Sequence, residues 1–568
     1  MPKIVLVAVN AKFIHANAAI YSLKRYCEER TPFKITPLEF TVNDSFDFIL
    51  SEIYESAPDI LGFSCYIWNI GMIKSLVSAV KKINPKIKII LGGPEVSFDA
   101  SQLLAECPAD IIVEGEGEET LREILSQTDL NEVKGITFKD GGGHVITNPP
   151  RKKLSLSDIP FPYVNHVTPS AEYRTPYVPN LPANKIIYYE SSRGCPSSCG
   201  YCLSHNEKPV RFLPLERVFD DLDFFIGQRV TQVKFTDRTF NYDKKRAFKI
   251  WEYLIANDNG YTNFHFEVSS DMLEDDAFGL FRQAPDGLFQ FEIGIQSTHP
   301  ETLRLINRQT QTESAIEKIK KLKSFENIHI HLDLIAGLPA EGYMRFAQSF
   351  NDVHALEPDM LQLGFLKLLK GSRLRSDADK YGIVYNESPP YEVLYTNHIS
   401  YDELATLKSI EQMLDMLYNS GNFKTTLPYV QSFFDSPFRF YEAFAAYWKS
   451  RGLHRSSRSL AAVYEAFAVF AQPFGDTRVL ANRLKYDWYM SGNQKSLPLP
   501  LCAELEEDPK VISELYKSTG ASKRFPMKRF DGFLFGTLHT VYVLFEYIGK
   551  PRPGSQKKYV RTRQFIME

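Results

Sequence analysis

The first 130 residues alternate short apolar runs with stretches in which apolar positions recur at helical spacing. Helical spacing is clear, for example, in residues 18–27 and 72–83. Strands that alternate with helices predict a parallel, doubly wound α/β sheet, Rossmann-like in its winding, which binds ligands at the carboxyl ends of its strands. The five apolar runs have the length of buried strands and cover residues 4–9, 35–40, 60–66, 87–91 and 111–113.

A second alternating series follows, with amphipathic helical stretches such as residues 315–322 between its apolar runs. Six strand–helix units are too few for a closed barrel of eight, so the pattern predicts a partial (β/α)6 barrel of the TIM type. Catalytic groups again belong at the carboxyl ends of the strands. The six predicted strands cover residues 186–190, 232–236, 264–269, 289–296, 328–335 and 360–366.

The remaining stretches have a different pattern. Residues 140–184 are rich in Gly, Pro, Ser and Asn, which is typical of a linker. Beyond about residue 380 the alternation stops, and aromatic helical patterns such as 438–448 and 459–470 follow. The predicted domains are therefore a Rossmann-like domain (1–140), a linker (141–184), a partial barrel (185–375) and a mainly helical C-terminal domain (376–568).

Composition excludes several classes of protein. The formal net charge of −3 over 568 residues gives no overall attraction to nucleic acid or to anionic lipid. Every apolar run is shorter than the roughly 18–20 residues that a transmembrane helix requires. The N-terminus has none of the features of a signal peptide. We therefore expect a cytoplasmic protein without a membrane association, and the seven cysteines are too few for a disulfide framework.

Glycine-rich turns follow two neighbouring strands of the predicted first sheet. Residues 92–95 (Gly-Gly-Pro-Glu) follow the fourth strand, and residues 114–118 (Glu-Gly-Glu-Gly-Glu) follow the fifth. Glycines allow a ligand to approach the backbone closely, although tight turns alone would also explain them. Two such turns at one edge predict a large ligand. The candidate contacts at these strand ends are Ser64, Gly92, Gly93, Glu114 and Gly115.

Three cysteines lie within eight residues, directly after the first predicted barrel strand: Cys195, Cys199 and Cys202. Three thiolates on one loop can bind one face of a 4Fe-4S cluster and leave the fourth iron open, whereas most such clusters have four cysteine ligands. The alternative is a structural zinc site completed by His205. A position at the mouth of a barrel favours the cluster.

The Cys-x3-Cys-x-Tyr-Cys sequence resembles the signature of the radical S-adenosylmethionine (SAM) superfamily. Residues 235–240, 292–297, 303–308 and 333–339 resemble later barrel segments of that superfamily, in the same order. Residues 92–95, 114–118 and 158–162 resemble a subgroup whose barrel follows a cobalamin-binding domain. The resemblance extends to about residue 375, and the last third resembles an uncharacterised domain attached to some members.

This resemblance implies three cofactors and a set of contacts. The cysteines would hold a 4Fe-4S cluster that binds SAM, and Tyr201 would pack near its adenine. Glu267, Gln296, Ser297 and Arg308 would contact the methionine and ribose parts of SAM. The N-terminal domain would bind cobalamin without a histidine ligand, because no Asp-x-His-x-x-Gly motif surrounds His15, which is either a ligand contact or a helix-start residue. An electron donor such as flavodoxin or ferredoxin would be needed.

The resemblance favours a cobalamin-dependent methyltransferase acting on an unactivated carbon, through cleavage of SAM to a 5′-deoxyadenosyl radical. A cyclase or rearrangement enzyme with the same cofactors is one alternative. Methylthio transfer to tRNA would need a second cluster on Cys27, Cys65 and Cys107. A cobalamin-sensing or RNA-binding module is the alternative without catalysis.

The sequence leaves the substrate open among small molecules, peptides and RNA. Residues 521–568 hold ten Lys or Arg and three acids, with aromatic residues interleaved. Basic and aromatic side chains together can bind RNA or an anionic metabolite. The same pattern is also typical of a basic surface over an aromatic core.

Overall fold

The computed structural model describes residues 1–126, 129–164, 185–308, 311–492, 497–498, 508–537, 539–547, 552–553, 555 and 560–567. Within these ranges, no helix combines the length and the apolar character needed to cross a membrane. The chain divides into two compact units. The first comprises Met1–Phe291, Arg304–Gln309 and Leu366–Thr396, and the second comprises Glu292–Leu303, Thr310–Phe365 and Asn397–Glu568.

The N-terminal sheet has seven strands in the order β2-β1-β3-β4-β5-β6-β7. The first five are parallel, as predicted, and β6 and β7 extend the sheet in antiparallel fashion. Of these two strands, β7 lies in residues that the sequence predicts as linker. The strands are β1 (Ile4–Asn10), β2 (Ile35–Thr41), β3 (Ile60–Ser64), β4 (Lys88–Gly92), β5 (Ile111–Val113), β6 (Ile136–Lys139) and β7 (Val145–Thr147). The helices are α1 (Ala18–Arg30), α2 (Phe46–Glu55), α3 (Ile70–Ile83), α4 (Ala100–Glu106) and α5 (Glu118–Ser126).

Helices cover both faces of this sheet, which explains why the inner strand β1 is an unbroken apolar run from Ile4 to Val9. All seven residues of β1 are buried. Successive residues of a strand point to opposite faces. Val5 and Val7 therefore contribute to one hydrophobic core, and Leu6 and Ala8 contribute to the other. This arrangement confirms the predicted Rossmann-like fold class.

The second sheet has six strands in the order β15-β14-β13-β12-β11-β8 and is open, as the predicted partial barrel requires. The pairs β8–β11, β11–β12 and β14–β15 are parallel. Its strands, with the short pair β9–β10, are β8 (Ile186–Tyr189), β9 (Ser192–Arg193), β10 (Arg211–Phe212), β11 (Gln232–Phe235), β12 (Asn263–Glu267), β13 (Phe289–Gln296), β14 (His329–Ala336) and β15 (Met360–Phe365). The helices are α6 (Leu215–Gly227), α7 (Lys244–Ala256), α8 (Asp275–Arg282), α9 (Pro300–Leu305), α10 (Thr312–Lys323), α11 (Tyr343–His354) and α12 (Arg373–Ser376).

Strands β11 and β12 of the first unit have one apolar face, covered by helices, and one polar face. The Phe235 and Phe266 rings pack 4.5 Å apart, and Trp251 of α7 packs edge-on against Phe281 of α8 at 4.8 Å. The intervening positions of β11 and β12 are polar: Gln232, Lys234, Asn263, His265 and Glu267. The opposite face of the strands is thus available for polar ligands.

The C-terminal region is mainly helical, as predicted, but it ends in an antiparallel sheet that the sequence did not predict. Its hairpin strands β16 (Val384–Tyr385) and β17 (Val393–Tyr395) precede helices α13 (Tyr401–Leu414), α14 (Thr426–Gln431), α15 (Pro437–Ser450), α16 (Leu460–Ala471), α17 (Thr477–Met490) and α18 (Pro509–Thr519). The terminal sheet comprises β18 (Met527–Phe530), β19 (Thr540–Tyr547) and β20 (Val560–Met567).

Burial on both faces conceals the central strand β19 from sequence analysis. Tyr542 and Leu544 pack with residues of α18, and Phe545 packs against Tyr489 of α17. A strand buried on both sides lacks the alternation of apolar and polar residues that identifies a strand. Several aromatic residues of the basic C-terminal segment therefore belong to a hydrophobic core. The structure does not describe Lys550, Lys557, Lys558 and Tyr559 of this segment.

Candidate functional site

The three clustered cysteines lie on a loop that begins directly after β9. Gly194 precedes Cys195 with φ +112°, and a Cβ atom there would lie 2.3 Å from the Glu207 carbonyl oxygen, so only glycine fits the start of the loop. The far side of the loop is fixed by Gly200, whose N–H donates to the Ile306 carbonyl at 2.8 Å. Asn307 adds a side-chain bond to the Ser198 carbonyl at 2.9 Å.

The three thiols are in surroundings that suit ligands of a metal cluster. Cys195 and Cys199 are buried, and Cys202 is partly exposed. A nitrogen or hydroxyl group lies near each sulfur: Thr239 Oγ1 is 3.5 Å from Cys195, Arg308 Nη1 is 3.8 Å from Cys199, and the Ser204 N–H is 3.4 Å from Cys202. Such groups stabilise thiolates and tune the potential of a cluster. The side chain of His205, the predicted zinc alternative, lies outside the part of the chain that the structure describes.

A buried carboxylate fixes the chain just before the cysteine loop. Asp237 accepts hydrogen bonds from the Ser191 N–H at 2.9 Å, the Ser191 hydroxyl at 2.6 Å and the Ser192 hydroxyl at 2.7 Å. Burial raises the pKa of Asp237 to about 6, even though these donors lower it. The sequence identified residues 235–240 only as a family segment and gave no sign of this anchoring role.

A cavity of about 1000 Å³ lies at the carboxyl ends of the strands of the first unit. This volume is at the upper end of the roughly 300–1,000 Å³ typical of ligand pockets, so the cavity suits a large cofactor. Among the described residues that line it, none is a histidine. All five contact residues predicted from the N-terminal strand ends line the cavity, together with Cys202 and barrel residues: Ser64, Gly92, Gly93, Glu114, Gly115, Tyr188, Glu190 and Arg238.

The two glycine-rich turns are joined by one hydroxyl group. Ser97 Oγ donates to the Gly93 carbonyl at 2.9 Å and accepts from the Gly115 N–H at 3.3 Å. The carboxylate of Glu114 accepts from Thr137 Oγ1 at 2.5 Å. The sequence placed both turns at one edge of the sheet but did not identify Ser97, because a single serine on a loop has no distinctive pattern.

An ion-pair network around the buried Glu118 connects the acidic turn to the cysteine loop. Arg193, two residues before Cys195, donates to Glu118 Oε1 at 3.0 Å and to Glu190 Oε2 at 2.7 Å. Glu116 lies 3.6 Å from Arg193 and also pairs with Arg211. Burial alone would raise the pKa of Glu118, but the Arg193 guanidinium more than offsets this and holds it below its ordinary value of 4.5.

We expect that Arg193→Met weakens folding and cluster binding together. Removal of one partner from a buried ion pair leaves an uncompensated charge on Glu118 and costs about 3–5 kcal/mol. Thermal unfolding and iron content per chain measure the two effects. Because the pKa of Glu118 is lowered, the wild-type advantage is present above pH 4.5 and is lost as the pH falls through the folded-state pKa.

Arg122→Met is the matched control, because Arg122 forms a partly exposed pair with Glu119 on one turn of α5. Exposed pairs contribute about 0–1 kcal/mol, so this variant should unfold close to wild type. Adding Glu118→Gln to Arg193→Met should restore part of the loss. Equal unfolding temperatures for the two arginine variants would contradict the role given to Arg193.

The residues predicted to contact SAM fall in both units. In the first unit, Arg308 Nη1 lies 3.3 Å from the Tyr201 hydroxyl, and Glu267 Oε1 lies 3.8 Å from Arg238. In the second unit, Gln296 at the end of β13 is buried with φ +71°, a backbone conformation that costs about 1–3 kcal/mol in a non-glycine residue. Ser297 donates its hydroxyl hydrogen to the buried Glu341 at 2.7 Å.

His15 makes a contact between two segments of the chain and does not line the cavity. Its ring nitrogen lies 2.7 Å from the Tyr188 hydroxyl, and its backbone forms a β-bridge with Ile186 of β8.

Two aromatic residues that the sequence did not single out line the cavity. The rings of Tyr66 and Trp68 stack with their centroids 4.4 Å apart.

The remaining described cysteines are not arranged for a second cluster. Cys27 belongs to the core on one face of the N-terminal sheet, whereas Cys65 and Cys107 belong to the core on the opposite face. Burial raises the pKa of all three thiols, to about 12 for Cys27. This arrangement argues against the methylthio-transfer alternative, which needs three converging thiolates.

Comparison with known families gives the same order of domains. A B12 binding domain matches residues 4–125, and the radical SAM superfamily matches residues 189–353. The chain contains a B12-binding domain followed by a radical SAM domain. The family described as a protein of unknown function (DUF4080) matches residues 379–533. This match confirms the predicted resemblance of the last third of the chain to an uncharacterised domain.

Named relatives share about a quarter of their residues with this chain over the matched region. The cobalamin-dependent radical SAM methyltransferase TokK of Streptomyces tokunonensis is 27% identical over 326 residues, which cover 54% of this chain and 46% of TokK. The 2-(S-pantetheinyl)-carbapenam-3-carboxylate methyltransferase of Streptantibioticus cattleyicolor is 24% identical over 452 residues, which cover 71% of this chain and 64% of that enzyme. The chain therefore spans about half to two thirds of these relatives.

Among solved structures, the cobalamin-dependent SAM radical enzyme OxsB, with aqua-cobalamin and SAM bound, matches with a TM-score of 0.59. The identity is 15%, and the match covers 87% of this chain and 84% of OxsB. The match shows that the two proteins share a fold.

Proposed function

We propose that this protein is a cobalamin-dependent radical SAM methyltransferase that acts on an unactivated carbon. One observation carries the proposal: Cys202 of the cysteine loop and the glycine-rich strand ends of the B12-binding domain line the same cavity. Two cofactors bound at these places would meet across one cavity, as a reaction that uses both requires.

The residues present fit both groups. Three cysteines on one loop leave one iron of a 4Fe-4S cluster for SAM, and the cavity has the volume and the glycine backbone that a corrinoid needs. When bound, the cluster supplies the electron for SAM cleavage, and cobalamin supplies the chemistry of methyl transfer. The glycine-rich turns and the other described lining residues, none of which is a histidine, would hold the corrinoid.

The chain's own residues would bind the cluster, orient its loop and shield it from water. Cys195, Cys199 and Cys202 would be the cluster ligands, and Asp237 holds the start of their loop through both serines that precede it. Arg193 keeps the loop in register with the acidic turn of the B12-binding domain. Cys195 and Cys199 are buried, so a cluster bound there would be shielded from water on that side, which would strengthen electrostatic interactions within the site.

The proposed SAM contacts are Tyr201, Glu267, Arg308, Gln296 and Ser297. Arg308 is next to both Cys199 and Tyr201, where a guanidinium can bind a carboxylate that approaches the cluster. Glu267, at the end of β12, can accept from ribose hydroxyls. The strained backbone of Gln296 supports its assignment, since such conformations concentrate at functional sites.

We also propose a one-electron donor such as flavodoxin or ferredoxin as the redox partner.

Two relatives support the transfer of a methyl group by this protein, because TokK and the carbapenam enzyme are both named as methyltransferases. The small-molecule, peptide and RNA classes of substrate are to be separated by experiment.

The test is an anaerobic incubation of reconstituted protein with methyl-labelled SAM, a reductant and a cell extract. Methyl transfer through two molecules of SAM predicts equal amounts of 5′-deoxyadenosine and S-adenosylhomocysteine, with the label in an extract component. The chemical nature of the labelled component identifies the substrate class. Chromatography and mass spectrometry measure all three products.

Other outcomes would assign the alternatives. Release of 5′-deoxyadenosine without S-adenosylhomocysteine would support a cyclase or rearrangement enzyme. A label that enters tRNA together with sulfur would support methylthio transfer. Cobalamin binding with no cleavage of SAM under reducing conditions would support a sensor and contradict the proposed activity.

A further inference from the structure

The segment that leaves the last barrel strand folds back on itself. We call residues 366–396 the strap; it belongs to the first unit, and α12 and the β16–β17 hairpin lie within it. The Leu368 N–H donates to the Tyr391 carbonyl at 2.9 Å, and the Val393 N–H donates to the Leu366 carbonyl at 2.9 Å. These bonds hold Tyr391, near the end of the strap, beside the beginning of the strap.

One side of the strap contacts the glycine-rich turn after β4. The Tyr391 hydroxyl donates to the carboxylate of Glu95, and both residues are buried. Lys370 Nζ lies 3.8 Å from Glu95 Oε1 and 3.3 Å from Asp99 Oδ2, and Lys370 also lines the cavity. The strap therefore contacts the turn whose first residues, Gly92 and Gly93, form part of the cavity.

A close steric contact adds to these polar ones. Gly371 has φ +79°, and a Cβ atom on it would lie 2.3 Å from the Phe98 ring. Such a separation is far below any van der Waals contact, so the strap backbone can approach Phe98 this closely only because residue 371 is glycine.

The other side of the strap contacts the cysteine loop. The Leu374 N–H donates to the Gly200 carbonyl at 2.8 Å, and Gly200 lies between Cys199 and Cys202. Asn206 Nδ2 donates to the Gly371 carbonyl at 3.3 Å. Within four residues of the strap, from Gly371 to Leu374, the chain thus joins the rim of the cavity to the loop of the proposed cluster.

We propose that the strap couples the two cofactor sites, with Tyr391, Lys370 and Gly371 as positioning residues. This inference rests on the proposed function, because it requires both cofactors. A cluster that orders the cysteine loop also orders residues 371–374, and these hold the turn at residues 92–98 in the conformation that receives the corrinoid. Coupling between binding sites is reciprocal, so bound cobalamin must retain the cluster by the same factor.

The test compares the Kd of hydroxocobalamin for cluster-free, chelated protein with the Kd for reconstituted protein, under anaerobic conditions and by absorbance titration. In wild type we expect at least about fivefold tighter binding with the cluster present, the lower end of typical allosteric couplings. Tyr391→Phe and Gly371→Ala should bring the ratio of the two Kd values towards one. A strap with only a structural role would change both Kd values equally and leave their ratio unchanged.

Tyr385→Phe is the matched control, because Tyr385 lies in the strap and, like Tyr391, packs against the guanidinium of Arg375. This variant should keep the wild-type ratio. If Gly371→Ala does not fold, Lys370→Met provides the same measurement. A wild-type ratio of one would overturn the coupling and leave the proposed function standing. So would a ratio that stays at the wild-type value both in Tyr391→Phe and in Gly371→Ala or Lys370→Met. If neither the cluster-free nor the reconstituted protein binds cobalamin, both the coupling and the proposed function are wrong.

Discussion

Replacement of Cys195, Cys199 and Cys202 together by alanine should remove iron and sulfide from the anaerobically purified protein and abolish release of 5′-deoxyadenosine from SAM. The reason is chemical: thiolates are the ligands of such clusters, and these three are on one loop beside groups that can hydrogen-bond to sulfur. Iron and sulfide assays, with chromatography of 5′-deoxyadenosine, measure the effect.

Cys27→Ala and Cys107→Ala are the matched controls for this experiment. Both thiols are buried in the cores on opposite faces of the N-terminal sheet, so their removal should lower stability modestly and leave cluster content and SAM cleavage intact. The hypothesis would be refuted by a triple variant that keeps its iron. Stoichiometric zinc in wild-type protein would instead support the structural zinc alternative.

A single methyl group at Gly93 should impair cobalamin binding severely. At φ +120°, a Cβ atom would lie 2.5 Å from the Cys65 carbonyl oxygen and 3.1 Å from its nitrogen, so the turn or the end of β3 must move. Backbone strain of this kind costs about 1–3 kcal/mol. If that cost appears in binding, the affinity of Gly93→Ala for hydroxocobalamin falls about 5- to 150-fold.

Gly71→Ala distinguishes this steric effect from a general loss of glycine. Gly71 is an exposed residue of α3 that does not line the cavity, and its added Cβ atom would meet no atom within 4 Å apart from its chain neighbours and its own helix backbone. We therefore expect near wild-type binding for Gly71→Ala and weak binding for Gly93→Ala, measured by absorbance titration with hydroxocobalamin. Equal affinities of the two variants would show that the turn at Gly93 does not form part of the cobalamin site.

The local pattern of the sequence was sufficient for most of the architecture. The five parallel strands of the first sheet and the six strands of the second lie where apolar runs predict them, because each strand is short and buried and each is bounded by turns or helices. The cysteine motif and the two glycine-rich turns were also visible, since each consists of neighbouring residues with unusual chemistry or backbone freedom.

Where local pattern failed, tertiary burial was the cause. The central strand β19 is apolar on both faces because helices α17 and α18 cover the two sides, and no alternation remained to identify it. Ser97 and Asp237 escaped notice for a related reason: their importance comes from what they contact after folding.

The sequence by itself therefore determined the class of the two α/β sheets, the loop that carries the cysteines and the turns that favour a large ligand. Only the tertiary structure decided how these parts are joined. Arg193 meets Glu118 across 75 residues of sequence, and Tyr391 meets Glu95 across 296. Before folding, any arginine can pair with any glutamate. Pairing becomes specific only when the strands have brought the loops together and burial has made an unpaired charge costly.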